Sequence, residues 1–312
     1  MKLFWILFSI IIILVFAFFM ISYICFRMAF YVSKKQKELN NNTALPKGKE
    51  YKPYYEKILK YAGETAQIPH TEFCITSFDG LKLYGKYYEC NSNAPIELMF
   101  HGYRGKAERD LAGGVQRCFK LGRNALIVDQ RCSGKSEGNV ITFGIKEHRD
   151  CLAWVDFMLR HFGDDVKIIL TGISMGATTV LIASGCELPK NVIGILADCG
   201  FSSAKEIIKR VIKKMHLPAK LAFFFVKMGA EIYGKFDIEE ITAEEALKRC
   251  TVPVIFFHGE DDDFVPCEMS QKNFDACASK KLIITVKGAG HGLSFLTEPE
   301  RYYDNLNEFF GE

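Results

Sequence analysis

The stretch VKIILTGISMGATTVLIA, residues 166–183, changes character at its middle. VKIILTG is too short for a globular helix and rich in Ile, Val and Leu, which predicts a strand buried on both faces. From Gly176 onward, ATTVLIASG continues as a helix-like segment. Between them lies Gly172-Ile173-Ser174-Met175-Gly176, a G-x-S-x-G pattern in strand–turn–helix context. A serine presented on so sharp a turn takes a strained backbone, and side chains at either glycine would collide with the strand or the helix. A helix N-cap is the competing reading of Ser174, but the strand–turn–helix context gives the pattern its weight.

The same strand signature recurs on both sides. IELMF (96–100), NALIVD (124–129), VIGILAD (192–198), PVIFFHG (253–259) and KLIITVKG (281–288) are short apolar runs. Helical stretches separate them at about 106–121, 146–161, 176–187, 266–279 and 298–309. Alternating strands and helices predict a mostly parallel sheet covered on both faces. Ahead of them, EFCITSF and LKLYGKYYE flank Asp79-Gly80, a tight hairpin signature. Residues 201–250 are too long for a simple crossover and carry AKEIIKRVIKKM, LAFFFVKMGAEIY and ITAEEALKRC. They predict a helical cap over the strand ends, or extra packing helices.

Folds of this class place their chemistry in loops at the carboxyl ends of the strands. A serine hydroxyl needs a base. His291, within Gly288-Ala289-Gly290-His291-Gly292 after the last strand, is the candidate. His101 and His258 also end strands, and are expected to shape a loop and support a turn. His70, His148, His161 and His216 read as surface or packing residues. The acid that would orient the imidazole falls in Glu260-Asp261-Asp262-Asp263, after PVIFFHG and before Phe264-Val265-Pro266. A solvated turn or a hard-cation site is the alternative for that cluster. Oxyanion donors are expected from the backbone N–H of Met175 and, in HGYRG (101–105), of Tyr103.

With HGYRG, DQRCSGKSEG (129–138), GISMG (172–176), ADCGF (197–201), HGEDDDFVP (258–266) and GAGHG (288–292) in place, the chain resembles the α/β-hydrolase superfamily over about residues 72–310. It looks closest to bacterial serine hydrolases of the monoglyceride-lipase or serine-aminopeptidase-like kind. The order Ser174, acid, His291 is that superfamily's. The resemblance implies that the acid is the fifth residue of H-G-x-x-D-x-x-V-P, Asp262, with Asp261 as runner-up. Cys132 stands where the family has glycine in D-x-R-G-x-G-x-S. Asp129 and Arg131 are expected to hold that loop, and Cys132 and Cys199 to line the mouth of the site as packing residues.

Composition narrows the rest. Of 312 residues, 49% are hydrophobic and 25% charged, which excludes a disordered or low-complexity chain. A net charge of +3 argues against nucleic-acid binding through a broad basic field. Eleven cysteines without a C-x-x-C pair read as reduced, mostly buried thiols, not as a disulfide framework or a zinc site.

Residues 3–26 carry no charge, and as a helix they rise about 36 Å, enough to cross a bilayer core of about 30 Å. The run is longer than a signal-peptide core and ends in bulky residues, so an uncleaved anchor is expected over a signal peptide. Arg27, Lys34, Lys35 and Lys37 after the span favour a cytoplasmic catalytic portion.

The expected organisation is a transmembrane anchor (1–30), a tether with a short helix at about 54–67 (31–71), and an α/β-hydrolase domain (72–312) with its cap at about 201–250. The expected activity is cleavage of a carboxylic ester, or a small amide, through Ser174, His291 and Asp262 without a cofactor or metal. Phe223, Phe224 and Phe225 in the cap suggest an apolar acyl or aryl group. An acyltransferase with the same triad and a non-catalytic, membrane-tethered binding protein are the alternatives. The partners implied are a small acyl substrate and the lipid bilayer.

Overall fold

The structure, a computed structural model, describes residues 1–46 and 48–311; Lys47, within the expected tether, and Glu312 lie outside the described residues. Among the described residues eight strands form one sheet: β1 (Thr71–Thr76), β2 (Lys82–Tyr88), β3 (Ile96–Phe100), β4 (Asn124–Val128), β5 (Ile168–Ile173), β6 (Val192–Asp198), β7 (Val254–Gly259) and β8 (Lys281–Val286). Their order is β1-β2-β4-β3-β5-β6-β7-β8. Within this sheet β1–β2 and β2–β4 pair antiparallel, and β3 through β8 run parallel with β4.

Three α-helices lie among the described residues of the N-terminal segment: α1 (Lys2–Ala29), α2 (Lys34–Asn42) and α3 (Tyr55–Ala66). Around the sheet lie α4 (Ala107–Asp110), α5 (Ala112–Lys120), α6 (Glu147–Phe162) and α7 (Met175–Ala183). The insertion carries α8 (Ala204–Lys214), α9 (Ala219–Gly229) and α10 (Ala243–Leu247), and the chain closes with α11 (Cys267–Ala276), α12 (Ser294–Thr297) and α13 (Pro299–Phe310).

The strands alternate with period two, and both faces are buried. Leu98 and Phe100 of β3 and Phe256 of β7 pack with Trp154 of α6 and Val180 of α7. Met99 faces the other way, against Leu111 and Val115, while Ile255 and Phe257 meet Tyr302 and Leu306 of α13. Each such side chain is worth roughly 1.5–3 kcal/mol of burial. This is the expected α/β-hydrolase sheet.

Three details differ from the expectations. The β1–β2 connection is a wider turn, Ser77–Leu81, in which Gly80 has φ +89° and the Ser77 hydroxyl accepts from the Leu81 N–H. Asp79 is drawn instead to Arg131. Described residues of the stretch expected to be a tether are bound to the domain: Ser33 caps α2, the Val32 N–H donates to Asn139 O, and Lys37 and Asn41 donate to Ser136 O and Gly134 O. The insertion divides. Ile207, Ile208, Phe223 and Val226 of α8 and α9 cluster with Met175 and Val265 over the strand ends, as a cap would. Ala243 and Leu247 of α10 join the sheet-facing core as ordinary packing.

Candidate active site

Ser174 follows β5 and opens α7 with φ +56° and ψ −118°, a sparsely populated conformation for a residue with a side chain. The flanking glycines are steric requirements. A Cβ at Gly172 would lie 2.2 Å from the Gly176 carbonyl, and one at Gly176 would lie 2.0 Å from Phe100 O. The close approach of strand, turn and helix thus lifts the Ser174 hydroxyl out of the sheet end. The Ser174 N–H donates to Asp198 O, which ties the turn to β6.

The structure brings together Ser174, His291 and Asp262 from the loops after β5, β8 and β7. His291 Nε2 lies 2.9 Å from Ser174 Oγ, and Nδ1 lies 2.7 Å from Asp262 Oδ2. The other carboxylate oxygen, Oδ1, accepts the N–H groups of Phe264 and Val265 at 2.9 and 2.8 Å. Burial would raise the Asp262 pKa, but hydrogen bonds from His258 and His291 outweigh it and hold the carboxyl well below the usual range. Asp261 is exposed on the same turn, and of the two only Asp262 reaches the imidazole.

Gly102 passes over the nucleophile: a Cβ there would sit 3.5 Å from Ser174 Cβ. The N–H groups of Met175 and Tyr103 donate to no other backbone group among the described residues, so both remain free for an incoming oxygen. The Tyr103 side chain turns away, its hydroxyl donating to Ala29 O at 2.7 Å. Its neighbour Arg104, at φ +53°, donates to Met28 O and Tyr31 O. The end of α1 is therefore clamped to the loop over the serine.

His101 and His258 take the supporting roles expected of them. His101 bonds to Gly102 O and accepts from the Gln130 N–H. His258 bonds to Ser270 Oγ and Val265 O, and its Nε2 also lies 3.3 Å from Asp262 Oδ2. The expected turn-supporting role of His258 thus extends to a contact with the acid, which the HGEDDDFVP motif it opens does not announce. Arg131 joins Asp150 and Asp79, and Asp129 accepts from the Ala107 and Lys135 N–H groups, so both hold their loop. Cys132 and Cys199 correct an expectation, because neither lines the mouth. Cys132 is buried at φ +70°, the left-handed conformation that glycine adopts most readily. Cys199 lies behind the triad, its sulfur within 4.8 Å of ligand atoms of Asp262 and His291. Those two are bonded to each other, and burial pushes the Cys199 thiol pKa well up, so the trio is poorly disposed to hold a metal.

A cavity of about 540 Å³ opens on Ser174 and His291. Its far wall comes from the N-terminal segment and from α12, with Glu50, Tyr51, Ile58, Tyr61, Phe295 and Leu296, and Arg104, Arg109 and Asp110 add charge. Phe223, Phe224 and Phe225 are not part of the lining: Phe223 is buried in the cap, and the other two meet Phe18 of α1. Asp198 also borders the cavity, where Ser294 and Tyr302 donate to its two oxygens and burial pushes its pKa up to about 6.

Comparison with known proteins places this geometry among relatives. The sequence pattern of the prolyl oligopeptidase family matches residues 142–312. The uncharacterized protein YqkD of Bacillus subtilis (strain 168) is 25% identical over 248 residues, covering 78% of this chain and 80% of that protein. The lysophosphatidylserine lipase ABHD12 of Danio rerio is 25% identical over 211 residues, 66% of this chain but only 52% of the lipase. Among solved structures, the Pyrococcus furiosus esterase Pf2001 superposes with a TM-score of 0.63 at 24% identity, covering 80% of this chain and 92% of that one; at that identity the likeness speaks for the fold.

Proposed function

The chain belongs to the prolyl oligopeptidase family and, with it, to the serine hydrolases of the α/β-hydrolase superfamily; from that premise we propose that it is a membrane-anchored esterase acting through Ser174, His291 and Asp262. The observation that carries the reading is the unbroken relay from Ser174 Oγ through both nitrogens of His291 to Asp262, at 2.9 and 2.7 Å.

In this reading Ser174 Oγ attacks the acyl carbonyl while His291 Nε2 takes its proton. The carbonyl oxygen becomes negative and is met by the Met175 and Tyr103 N–H groups, each worth about 3 kcal/mol to the transition state. Asp262 holds the proton on Nδ1 and stabilises the imidazolium. His291 then protonates the departing alcohol, leaving an ester on Ser174. Water, deprotonated by the same imidazole, attacks that ester, and the collapse returns the proton to Ser174 and frees the acid. The volume of the cavity suits a small acyl substrate, and its Tyr, Phe and Leu wall favours an apolar acyl group. An ester is the favoured bond and a small amide the second.

The helix α1 is long and apolar enough to cross a membrane. One face of it, Phe18, Ser22 and Phe26, together with Phe30 just past its end, packs onto the folded domain. Cleavage as a signal would strip that packing and the α1 carbonyls that Tyr103 and Arg104 bind, so an anchor is the better reading. Arg27, Lys34, Lys35 and Lys37 favour a cytoplasmic domain.

A fluorophosphonate probe tests the chemistry. Labelling of the folded protein at neutral pH is expected at Ser174 and lost in Ser174→Ala; a folded, unlabelled wild type would sink the reading. Acyl esters of graded chain length and small peptide amides, each run against Ser174→Ala, then decide the bond.

A further inference from the structure

The anchor does not stand clear of the enzyme. Phe18 meets Phe224 and Phe225 at ring-centroid distances of 6.1 and 5.9 Å. Tyr23 meets Tyr233, whose hydroxyl donates to Phe19 O. At Gly229, where a Cβ would lie 2.5 Å from Ser22 O, the two helices touch through backbone. The register between α1 and α9 is thus set by direct contact.

That contact determines a depth. A bilayer core of about 30 Å takes about 20 helical residues at 1.5 Å each. Counted from Leu3, the first residue of the uncharged run, the far boundary falls near Ser22; counted back from Phe26, the near boundary moves inward and the far one lies at Phe26 itself. Either way Phe18 is inside the hydrocarbon, and the rings that touch it share its level. The free face of the cap continues from there, with Leu217, Leu221 and Phe224 exposed by 47%, 58% and 48%. Lys213 and Lys220 are exposed beside them. An apolar stripe rimmed by lysines is the composition of a helix lying in a membrane interface.

We propose that the cap is a second membrane contact, in which Leu217, Leu221 and Phe224 enter the acyl region of the leaflet that α1 leaves. The occupant of this face is the bilayer itself. The inference rests on the anchor reading above and extends it: α1 does not hang the enzyme on a leash but seats it cap-down. Because Tyr103 and Arg104 grip the end of α1, the loop over Ser174 is then held next to the lipid surface.

Tryptophan quenching by lipids brominated on their acyl chains separates the two claims. The full-length protein is reconstituted in vesicles of phosphatidylcholine and phosphatidylglycerol. Trp5, in the span, reports the anchor. Phe224→Trp and Leu221→Trp, each in a Trp5→Phe background, report the cap above the unquenched signal of the buried core residue Trp154. Asp165→Trp, in the loop entering β5 at the opposite end of the sheet, is the control. Quenching is expected at 224 and 221, strongest with bromines near the headgroup, and absent at 165. Two cap positions are used so that one misfolded variant does not end the test. Quenched Trp5 with unquenched 224 and 221 would overturn the proposal and leave the anchor standing. Unquenched Trp5 would overturn the anchor, and this inference with it.

Discussion

Two buried acid–base clusters sit at opposite ends of the same parallel strands. In one, Glu97 of β3 accepts from Arg117 and Arg123 at 2.5 and 2.9 Å and from Thr171 Oγ1 at 3.1 Å. In the other, Asp262 accepts from His291 and two backbone N–H groups, and His291 goes on to Ser174. Burial opposes ionisation at both carboxyls, and both stay ionised because their partners outweigh it: Glu97 is held at about 2, and Asp262 is also held below the usual range. The clusters differ in where the chain of partners ends. Glu97 is closed off by two buried guanidiniums, so its charge has no outlet. The Asp262 chain ends on a hydroxyl that faces a cavity, with two N–H groups beside it that have no partner among the described residues. A saturated buried charge serves architecture, whereas one that leaves its last member open can serve chemistry.

Substitutions can break that contrast. The largest effect is expected at the open end: Ser174→Ala should lower kcat by about 10⁶ while leaving the thermal midpoint in detergent nearly unchanged. Asp262→Asn should follow with a loss of about 10⁴, because the amide favours the wrong imidazole tautomer. At the closed cluster the order reverses. Glu97→Ala leaves two arginines buried without their acid and should cost about 3–5 kcal/mol of stability by urea unfolding. If Glu97→Ala is as stable as the wild type, or Ser174→Ala unfolds, the division of labour fails.

Asp198 sharpens the comparison, being a buried carboxyl that accepts from two hydroxyls and forms no salt bridge among the described residues. Its pKa is raised above the unfolded value to about 6. Its contribution is therefore full below the unfolded carboxylate pKa near 4 and is lost as pH rises through about 6. At about 1.4 kcal/mol per pH unit, the difference amounts to about 3 kcal/mol. Asp198→Asn should flatten the stability–pH curve between about 4 and 6; an unchanged slope would place the titration elsewhere. The smallest effect is expected at Asp261→Asn, within about 0.5 kcal/mol and with near-native turnover, since that side chain is exposed. Equal activity losses at Asp261 and Asp262 would mean that the acid is misassigned.

Much of the fold was legible along the chain. Local runs such as IELMF and VIGILAD fall on β3 and β6 residue for residue, because a strand buried on both faces leaves an unmistakable apolar string. The exception inside IELMF is Glu97: its partners, Arg117 and Arg123, lie about twenty residues on, and no local pattern announces them. The cap aromatics show the opposite failure. Phe223, Phe224 and Phe225 read as substrate contacts because apolar residues near a site invite that reading, yet they pack within the cap and on α1. A sequence records that a side chain avoids water but not which surface covers it.

The same limit divides the site. Ser174 and its glycines were readable because a strained turn demands specific residues within five positions. His291 and the acidic turn were readable because loops after strands must be glycine- or acid-rich to aim polar groups inward. The choice of Asp262 over Asp261 needed either a family resemblance or a distance, since neighbours on one turn point in different directions. The wall of the cavity, built from Glu50, Tyr51 and Tyr61, and the grip of Tyr103 and Arg104 on the end of α1 left no trace in either segment. They arise from contacts between residues more than forty positions apart, and chain folding sets such contacts, not local preference.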